Sequence, residues 1–256
     1  MLLVIDVGNT NIVLGVYDGS RLRQDWRIRT ERNTTEDEFN VLINSLFAAG
    51  KAAVSDVDRT IISCVVPPMV TILDAFCRKY LGHPPQWVDA KNCAGMPILL
   101  KNPAEVGADR IVNAVAAFQK YRSSLIVVDF GTATTFDVIS ENGEYLGGAI
   151  SPGIGIASEA LFREASKLPR VEIFLPPEKV IGKDTISSIK SGIIFGYAGL
   201  VDGIVRRMKT EMGTDPKVIA TGGLARLLFD VSETIEAVEP ALTLEGLRII
   251  ANQAPP

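Results

Sequence analysis

The chain has 256 residues, 47% of them hydrophobic and 22% charged, and its 30 acidic and 26 basic side chains leave a formal charge of -4. This is apolar material for one large domain or two of about 100 to 150 residues, and it argues against extensive disorder and a basic nucleic-acid surface. Three cysteines without a CxxC pair, an apolar opening that soon meets Asp6, and no run near the roughly 20 apolar residues of a bilayer span argue against a disulfide scaffold, a zinc cluster, a secretory signal and a membrane anchor, so a cytoplasmic setting is expected.

In chain order, residues 2–5 and 12–17 read as two short strands joined across DVGNTN, and residues 22–29 add a third with Trp26 and Ile28 on one face. TTEDEFNVLINSLFAAG predicts a helix: Thr34 or Thr35 caps it, acids fill the first turn, and Phe39, Leu42, Ile43 and Leu46 form the apolar stripe. TIISCVV at 60–66 predicts a buried strand, with Cys64 a small hydrophobe inside it, ended by Pro67 and Pro68; a helix over 69–80 follows. The only histidine, His83, falls in the turn-like LGHPP and reads as a surface-loop residue. A long helix from NPAEVGADR to YR, apolar along Ile111, Val112, Val115, Ala116 and Phe118, is expected to connect two halves.

The second half repeats the order of the first. Strands are expected at 125–128 and 135–139, a turn and third strand in ENGEYLGGAIS, helices at about 153–167 and 184–209, and a strand in KVIATGG. Asp6 and Asp129 stand in comparable strand–turn–strand units, which suggests two related domains flanking a cleft.

The two turns carry the chemistry. In DVGNTN, Gly8 permits a close turn, Asn9, Thr10 and Asn11 supply short polar groups, and Asp6 ends an apolar strand where a carboxylate can face a metal-bound phosphate. Read alone, the same residues also make an ordinary hairpin turn whose Asn and Thr satisfy the backbone. DFGTATT repeats the acid-x-glycine pattern with three hydroxyls, so two such loops can hold a polyphosphate while acids organise a cation. VIATGGLA places Gly222 and Gly223 after a strand, either to let a base or ribose approach the backbone or as a plain strand-to-helix joint. Neither a GxxxxGK[ST] loop nor GxGxxG in a strand–helix setting is present, so the nucleotide reading rests on the paired turns.

NPAEVGADR offers Gly107 for close approach, Asp109 to accept a proton from a hydroxyl, Arg110 to hold an anion, and Asn102, Glu105 and Asn113 as supports. The competing reading makes Glu105 and Asp109 first-turn helix acids with Arg110 their exposed partner. In GGAISPGIGIASEALF, Gly147, Gly148 and Gly153 can make room for substrate and the Gly155, Ile156 and Ala160 side can pack a helix. In GKDTISSIKSGIIFGYAG, Thr185 offers a loop contact and Gly192 and Gly196 permit close helix packing.

Together DVGNTN, NPAEVGADRIVNA, DFGTATTFDVI, GGAISPG, GKDT with SG, and TGG resemble the type III pantothenate kinases, within the acetate and sugar kinase/Hsc70/actin superfamily. The resemblance implies an α/β fold of two ribonuclease-H-like (actin-like ATPase) domains, residues 1–115 and 116–256, with mixed five-stranded sheets flanked by helices. It implies ATP-dependent phosphorylation of (R)-pantothenate to 4'-phosphopantothenate, the first step of coenzyme A biosynthesis, by a homodimer with the substrate pocket near its interface. Carried over residue by residue, it makes Asp109 the proton acceptor. Asp6, Val7, Gly8, Asn9, Thr10, Asn11, Ile12, Val13 and Thr132 become ATP contacts. Leu100, Gly107, Ala108, Asp109, Arg110 and Thr185 become substrate contacts, Asp129 the site of a monovalent cation (K⁺ or NH₄⁺), and Asp6 a contact of the Mg²⁺ that accompanies ATP. One position departs: many relatives place a tyrosine where this chain has Leu100, which removes a polar ring from the expected pocket. A kinase for another small alcohol and a non-catalytic nucleotide-binding regulator are the alternatives.

Overall fold

The computed structural model describes residues 1–172 and 175–253. They fall into two compact units: residues 1–120 joined by the C-terminal helix, and Tyr121–Ala241.

In the first unit, β1 (Leu2–Val7), β2 (Asn11–Asp18) and β3 (Arg21–Arg29) form an antiparallel meander. β4 (Arg59–Cys64) and β5 (Gln86–Trp87) extend it in parallel on the far side of β1, giving the order β3-β2-β1-β4-β5. Leu2 to Ile5 are all buried, as a central strand covered on both faces requires. The edge strand β3 instead turns Arg21, Arg23, Arg27 and Arg29 to solvent, charges that discourage pairing with a foreign strand.

Helix α1 (Glu36–Ala49) starts with a capping box: Thr35 Oγ1 accepts from Glu38 N at 3.2 Å, and Glu38 Oε2 accepts from Thr35 N at 2.9 Å. Its buried face is Phe39, Ile43 and Phe47, with Leu46 partly buried beside them. Leu42, expected in that stripe, lies on the exposed side. Trp26 stacks on Phe47 and Phe39 meets Phe76 edge-on, both at 5.1 Å between ring centroids. Pro67 and Pro68 end a strand and also open α2 (Pro67–Phe76), where a missing N–H and a fixed φ suit the first turn. Cys64 is half-buried at the end of β4; the fully buried thiols are Cys77 and Cys93.

The long helix expected from NPAEVGADR is broken. Pro103–Glu105 form a separate 3₁₀ turn capped by Asn102, Val106 is extended, and α3 runs only over Ala108–Tyr121. Its inner side carries Ile111, Val112, Val115 and Ala116 into the core, and it belongs to the first unit up to Lys120 rather than ending there at residue 115.

The second unit repeats the sheet strand for strand. β6 (Leu125–Phe130), β7 (Ala133–Ile139) and β8 (Tyr145–Pro152) are the meander, and β9 (Lys217–Thr221) and β10 (Ala237–Val238) the parallel extension, in the order β10-β9-β6-β7-β8. Helices α4 (Ile154–Glu164), α5 (Thr185–Met212) and α6 (Ala225–Phe229) belong to this unit. By length and composition α5 is the one described helix apolar enough to cross a bilayer, but its inner side buries Ile194, Tyr197, Ala198, Val201 and Val205 in the core, as a long core helix does. Among the described residues the expected close packing at its glycines is not found: a Cβ at Gly192 or Gly196 would meet nothing within 4 Å, nor would one at Gly155 on α4.

The chain then returns. α7 (Leu242–Gln253) buries Leu242, Leu244, Leu247, Ile250 and Ala251 in the first unit, so the expected assignment of all residues beyond 115 to one domain does not describe these compact units. Tyr17 Oη donates to Glu245 Oε1 at 3.1 Å, and Thr243 Oγ1 donates to Asn113 Oδ1 at 2.8 Å. Asn113 is thus a buried tie for α7. A Cβ on Gly246 would fall 2.2 Å from the Val112 carbonyl oxygen, so α7 and α3 touch backbone to backbone.

Candidate active site

The β1–β2 turn holds most of the candidate phosphate residues. Asp6 is half-buried between Val13 on β2 and Ser63 on β4, and Gly8 N donates across the turn to Asn11 O at 3.0 Å. Asn9 and Thr10 are exposed at the tip, whereas Val7 and Ile12 point wholly into the core and offer a ligand only their backbone. Two residues that sequence reasoning did not single out brace the tip. Thr30 Oγ1 donates to Gly8 O at 2.6 Å, and Arg32 Nη2 donates to Asn9 Oδ1 at 2.9 Å.

The β6–β7 turn is one residue shorter, with Gly131 N donating to Ala133 O at 3.1 Å. Gly131 and Thr132 are exposed, and Asp129 is half-buried between Thr135 on β7 and Thr221 on β9. Here the support is steric. A Cβ on Gly153 would sit 2.2 Å from Thr132 O, and one on Gly222, whose φ is +92°, would sit 2.5 Å from Asp129 Oδ1 and 2.7 Å from the Phe130 backbone. Both glycines therefore make room for the turn itself, where the sequence suggested room for substrate or for a nucleotide base.

Gly107, Ala108, Asp109 and Arg110 come together at the start of α3. Gly107 O accepts from Arg110 N at 3.1 Å and Ile111 N at 3.2 Å, which makes Gly107 the N-cap. Asp109 Oδ1 accepts from Arg110 N at 2.8 Å. Burial pushes the Asp109 carboxyl above the usual carboxylate range, and the Arg110 N–H and guanidinium only partly offset this. The competing reading holds in part: Asp109 is a first-turn acid of α3, but Glu105 belongs to the separate 3₁₀ turn and Arg110 is half-buried rather than exposed. Asn102 Nδ2 donates to Glu105 Oε1 at 2.9 Å, a local bond within the preceding 3₁₀ turn, and Leu100 is half-buried in the loop before it. Val65 links this segment to the first turn: its N–H donates to Val7 O at 3.1 Å, and its Cγ1 lies 3.7 Å from where a Gly107 Cβ would stand.

In the second unit Thr185 is exposed at the start of α5 and lines a cavity of about 600 Å³ with Leu161, Leu168, Lys183, Ser188 and Ile193. Asp184 caps the helix by accepting from Ser187 N at 2.9 Å, which holds its carboxyl below the usual range. His83 is half-buried in the loop before β5, with Nδ1 3.2 Å from Pro84 O. Among the described residues no group of three or more His, Cys, Asp or Glu could cage a metal. A single carboxylate at the first turn fits a divalent ion carried mainly by nucleotide phosphates.

Each unit presents an exposed backbone turn beside a half-buried carboxylate, and the first unit adds a half-buried acid at a helix start, groups of the kind phosphoryl transfer uses. The family model described as type III pantothenate kinase matches residues 2–207. A type III pantothenate kinase of Desulfatibacillum aliphaticivorans is 70% identical over 98% of this chain and 97% of its own. One of Desulforapulum autotrophicum is 66% identical over 99% and 97%. In fold, the chain is similar to the ethanolamine utilization protein EutJ of Carboxydothermus hydrogenoformans, with a TM-score of 0.57 at 16% identity over 97% of this chain and 89% of that one. Its α/β architecture is two mixed five-stranded sheets flanked by helices, and the chain belongs to the type III pantothenate kinases.

Proposed function

We propose the following division of labour for the reaction of this family, the ATP-dependent phosphorylation of pantothenate on the way to coenzyme A. Asp109 orients the primary hydroxyl of pantothenate and takes its proton as the oxygen attacks the γ-phosphorus in line. The new P–O bond forms as the bond to ADP breaks. Asp6 and the backbone from Val7 to Val13 hold the phosphates, and Thr132 supplies a second ATP contact. Mg²⁺ supplied with ATP neutralises phosphate charge. Asp129 serves a monovalent cation, K⁺ or NH₄⁺. Leu100, the segment Gly107–Arg110 and Thr185 contact pantothenate.

The observation that carries this reading is the placement of Asp109, a half-buried carboxylate at the start of α3 that accepts from Arg110 N and is linked through Val65 to the first turn, where burial raises its proton affinity. A homodimer is supported by apolar residues left exposed on and beside α4 and α5, among them Ile156, Phe162, Val180 and Ile181. Mass in solution tests the dimer, and the enzyme is assigned to the cytoplasm. The deciding assay is ADP formation by purified protein with ATP, Mg²⁺ and pantothenate, in K⁺ and then in Na⁺. Turnover is expected to require pantothenate, to be faster in K⁺, and to fall about 10²- to 10⁴-fold in Asp109→Asn. Normal pantothenate-dependent turnover in a folded Asp109→Asn protein would overturn the assignment.

A further inference from the structure

Glycine at a helix N-cap ordinarily reflects either a backbone that only glycine adopts or indifference to the cap. Neither account fits Gly107. Its φ lies outside the left-handed region, so an L side chain is compatible with the backbone there. What a side chain would meet is the neighbouring acid: a Cβ on Gly107 would lie 2.5 Å from Asp109 Oδ1, whereas Asp109 Cγ at 3.6 Å and Val65 Cγ1 at 3.7 Å would be ordinary contacts.

The hydrogen bonding points the same way. A Ser, Thr, Asn or Asp at the N-cap accepts from the N–H of the second or third helical residue. With Gly107 as cap the third residue is Arg110, and that N–H is the donor Asp109 Oδ1 uses at 2.8 Å. A capping side chain would take both the space and the donor that now hold the carboxylate. We propose that Gly107 is a positioning residue for the general base: a cap left bare so that the Asp109 carboxylate occupies the position a capping side chain would otherwise fill.

The inference rests on Asp109 being the proton acceptor, and it gives a contact-segment residue a different task. It predicts that a change which improves the helix harms the reaction. The test uses the full chain with Gly107→Ala, Gly107→Ser and, as a control, Asp109→Asn. Gly107→Ser is expected to melt at or above the wild-type temperature, because its hydroxyl caps α3. In both Gly107 variants kcat is expected to fall about 10- to 100-fold, the scale of a misplaced reacting group, with KM for ATP unchanged.

Wild-type kcat in the Gly107 variants, alongside loss of turnover in Asp109→Asn, overturns the inference and leaves the proton-acceptor reading intact. A raised KM for pantothenate at unchanged kcat also overturns it, since Gly107 would then be a substrate contact alone. So does a melting temperature that falls in both variants, which would make it a folding residue. Turnover kept in Asp109→Asn instead removes the reading on which the inference stands.

Discussion

The two glycine turns occupy equivalent places in equivalent sheets, yet they are held in different ways. Asp6 and Asp129 each lie on a central strand between an antiparallel and a parallel neighbour. The first turn is braced by polar side chains: Thr30 reaches Gly8 O and Arg32 reaches Asn9. The second is wedged by backbone, with Gly153 against Thr132 O and Gly222 against Asp129 and Phe130. A turn held by hydrogen bonds yields when one partner is changed, by about the net worth of a bond. A turn wedged between glycines has no slack, because backbone cannot rotate out of the way as a side chain can.

The sharpest way to break this comparison is to add one methyl group to the second turn's supports. Gly222→Ala puts a Cβ on a residue with φ +92° and 2.5 Å from Asp129 Oδ1, and Gly153→Ala puts one 2.2 Å from Thr132 O. Left-handed strain and overpacking together are expected to destabilise by about 2 to 4 kcal/mol, read by urea unfolding followed by far-UV circular dichroism. A loss below about 1 kcal/mol in both variants would mean the second turn is no more wedged than the first.

An intermediate effect is expected from Thr30→Val, which deletes the 2.6 Å bond to Gly8 O while keeping the side-chain shape. Stability should fall by about 1 kcal/mol, with KM for ATP rising as the first turn loosens. Trp26 and Trp87, the chain's two tryptophans, both lie in the first unit, so their fluorescence follows this change directly. Smaller still is Gly8→Ala, whose Cβ would meet only Asn11 O at 3.2 Å; a shift of a few tenths of an ångström relieves it, and the expected loss is about 0.5 kcal/mol. A loss from Gly8→Ala as large as from Gly222→Ala would erase the distinction between the turns.

The last test concerns the acid outside both turns and reads a sign rather than a size. Burial raises the Asp109 pKa, so the folded state binds its proton more tightly than the unfolded state does. That contribution favours folding at low pH and is lost as pH rises from the unfolded value through the raised folded one. Asp109→Asn should therefore melt higher than wild type at neutral pH, with the gain shrinking as the pH falls towards 3.8, the carboxyl's ordinary value. A variant that melts lower than wild type at neutral pH contradicts this.

Much of this was legible in the sequence because the two sheets announce themselves locally. Apolar runs closing on Asp6 and Asp129, the polar turns after them and the capped start of α1 are short-range patterns that tertiary context did not override. The two-residue strands β5 and β10 were not legible, since so few residues carry no period. The helical spacing of Leu247, Ile250 and Ala251 could have revealed α7, but which sheet it covers is a long-range fact. The glycines show the limit most plainly. At Gly107, Gly153 and Gly222 the sequence says that space is needed; only the fold says that the Asp109 carboxylate, the Thr132 carbonyl, and Asp129 with Phe130 need it. Thr30 and Arg32 gave no signal, because their partners stand more than twenty residues away in sequence.

The return of α7 to the first unit has a consequence for how the chain is made. The second unit is continuous, and a ribosome delivers it whole before the last helix emerges. The first unit starts earlier yet lacks Leu244, Leu247 and Ile250, and the Gly246 contact with Val112, until all of Tyr121–Ala241 has been synthesised. At about 5 to 20 residues per second the nascent sheet waits on the order of ten seconds with that surface bare. The unit begun first is thus the one completed last, and during that interval it depends on whatever shields nascent apolar surface in the cell.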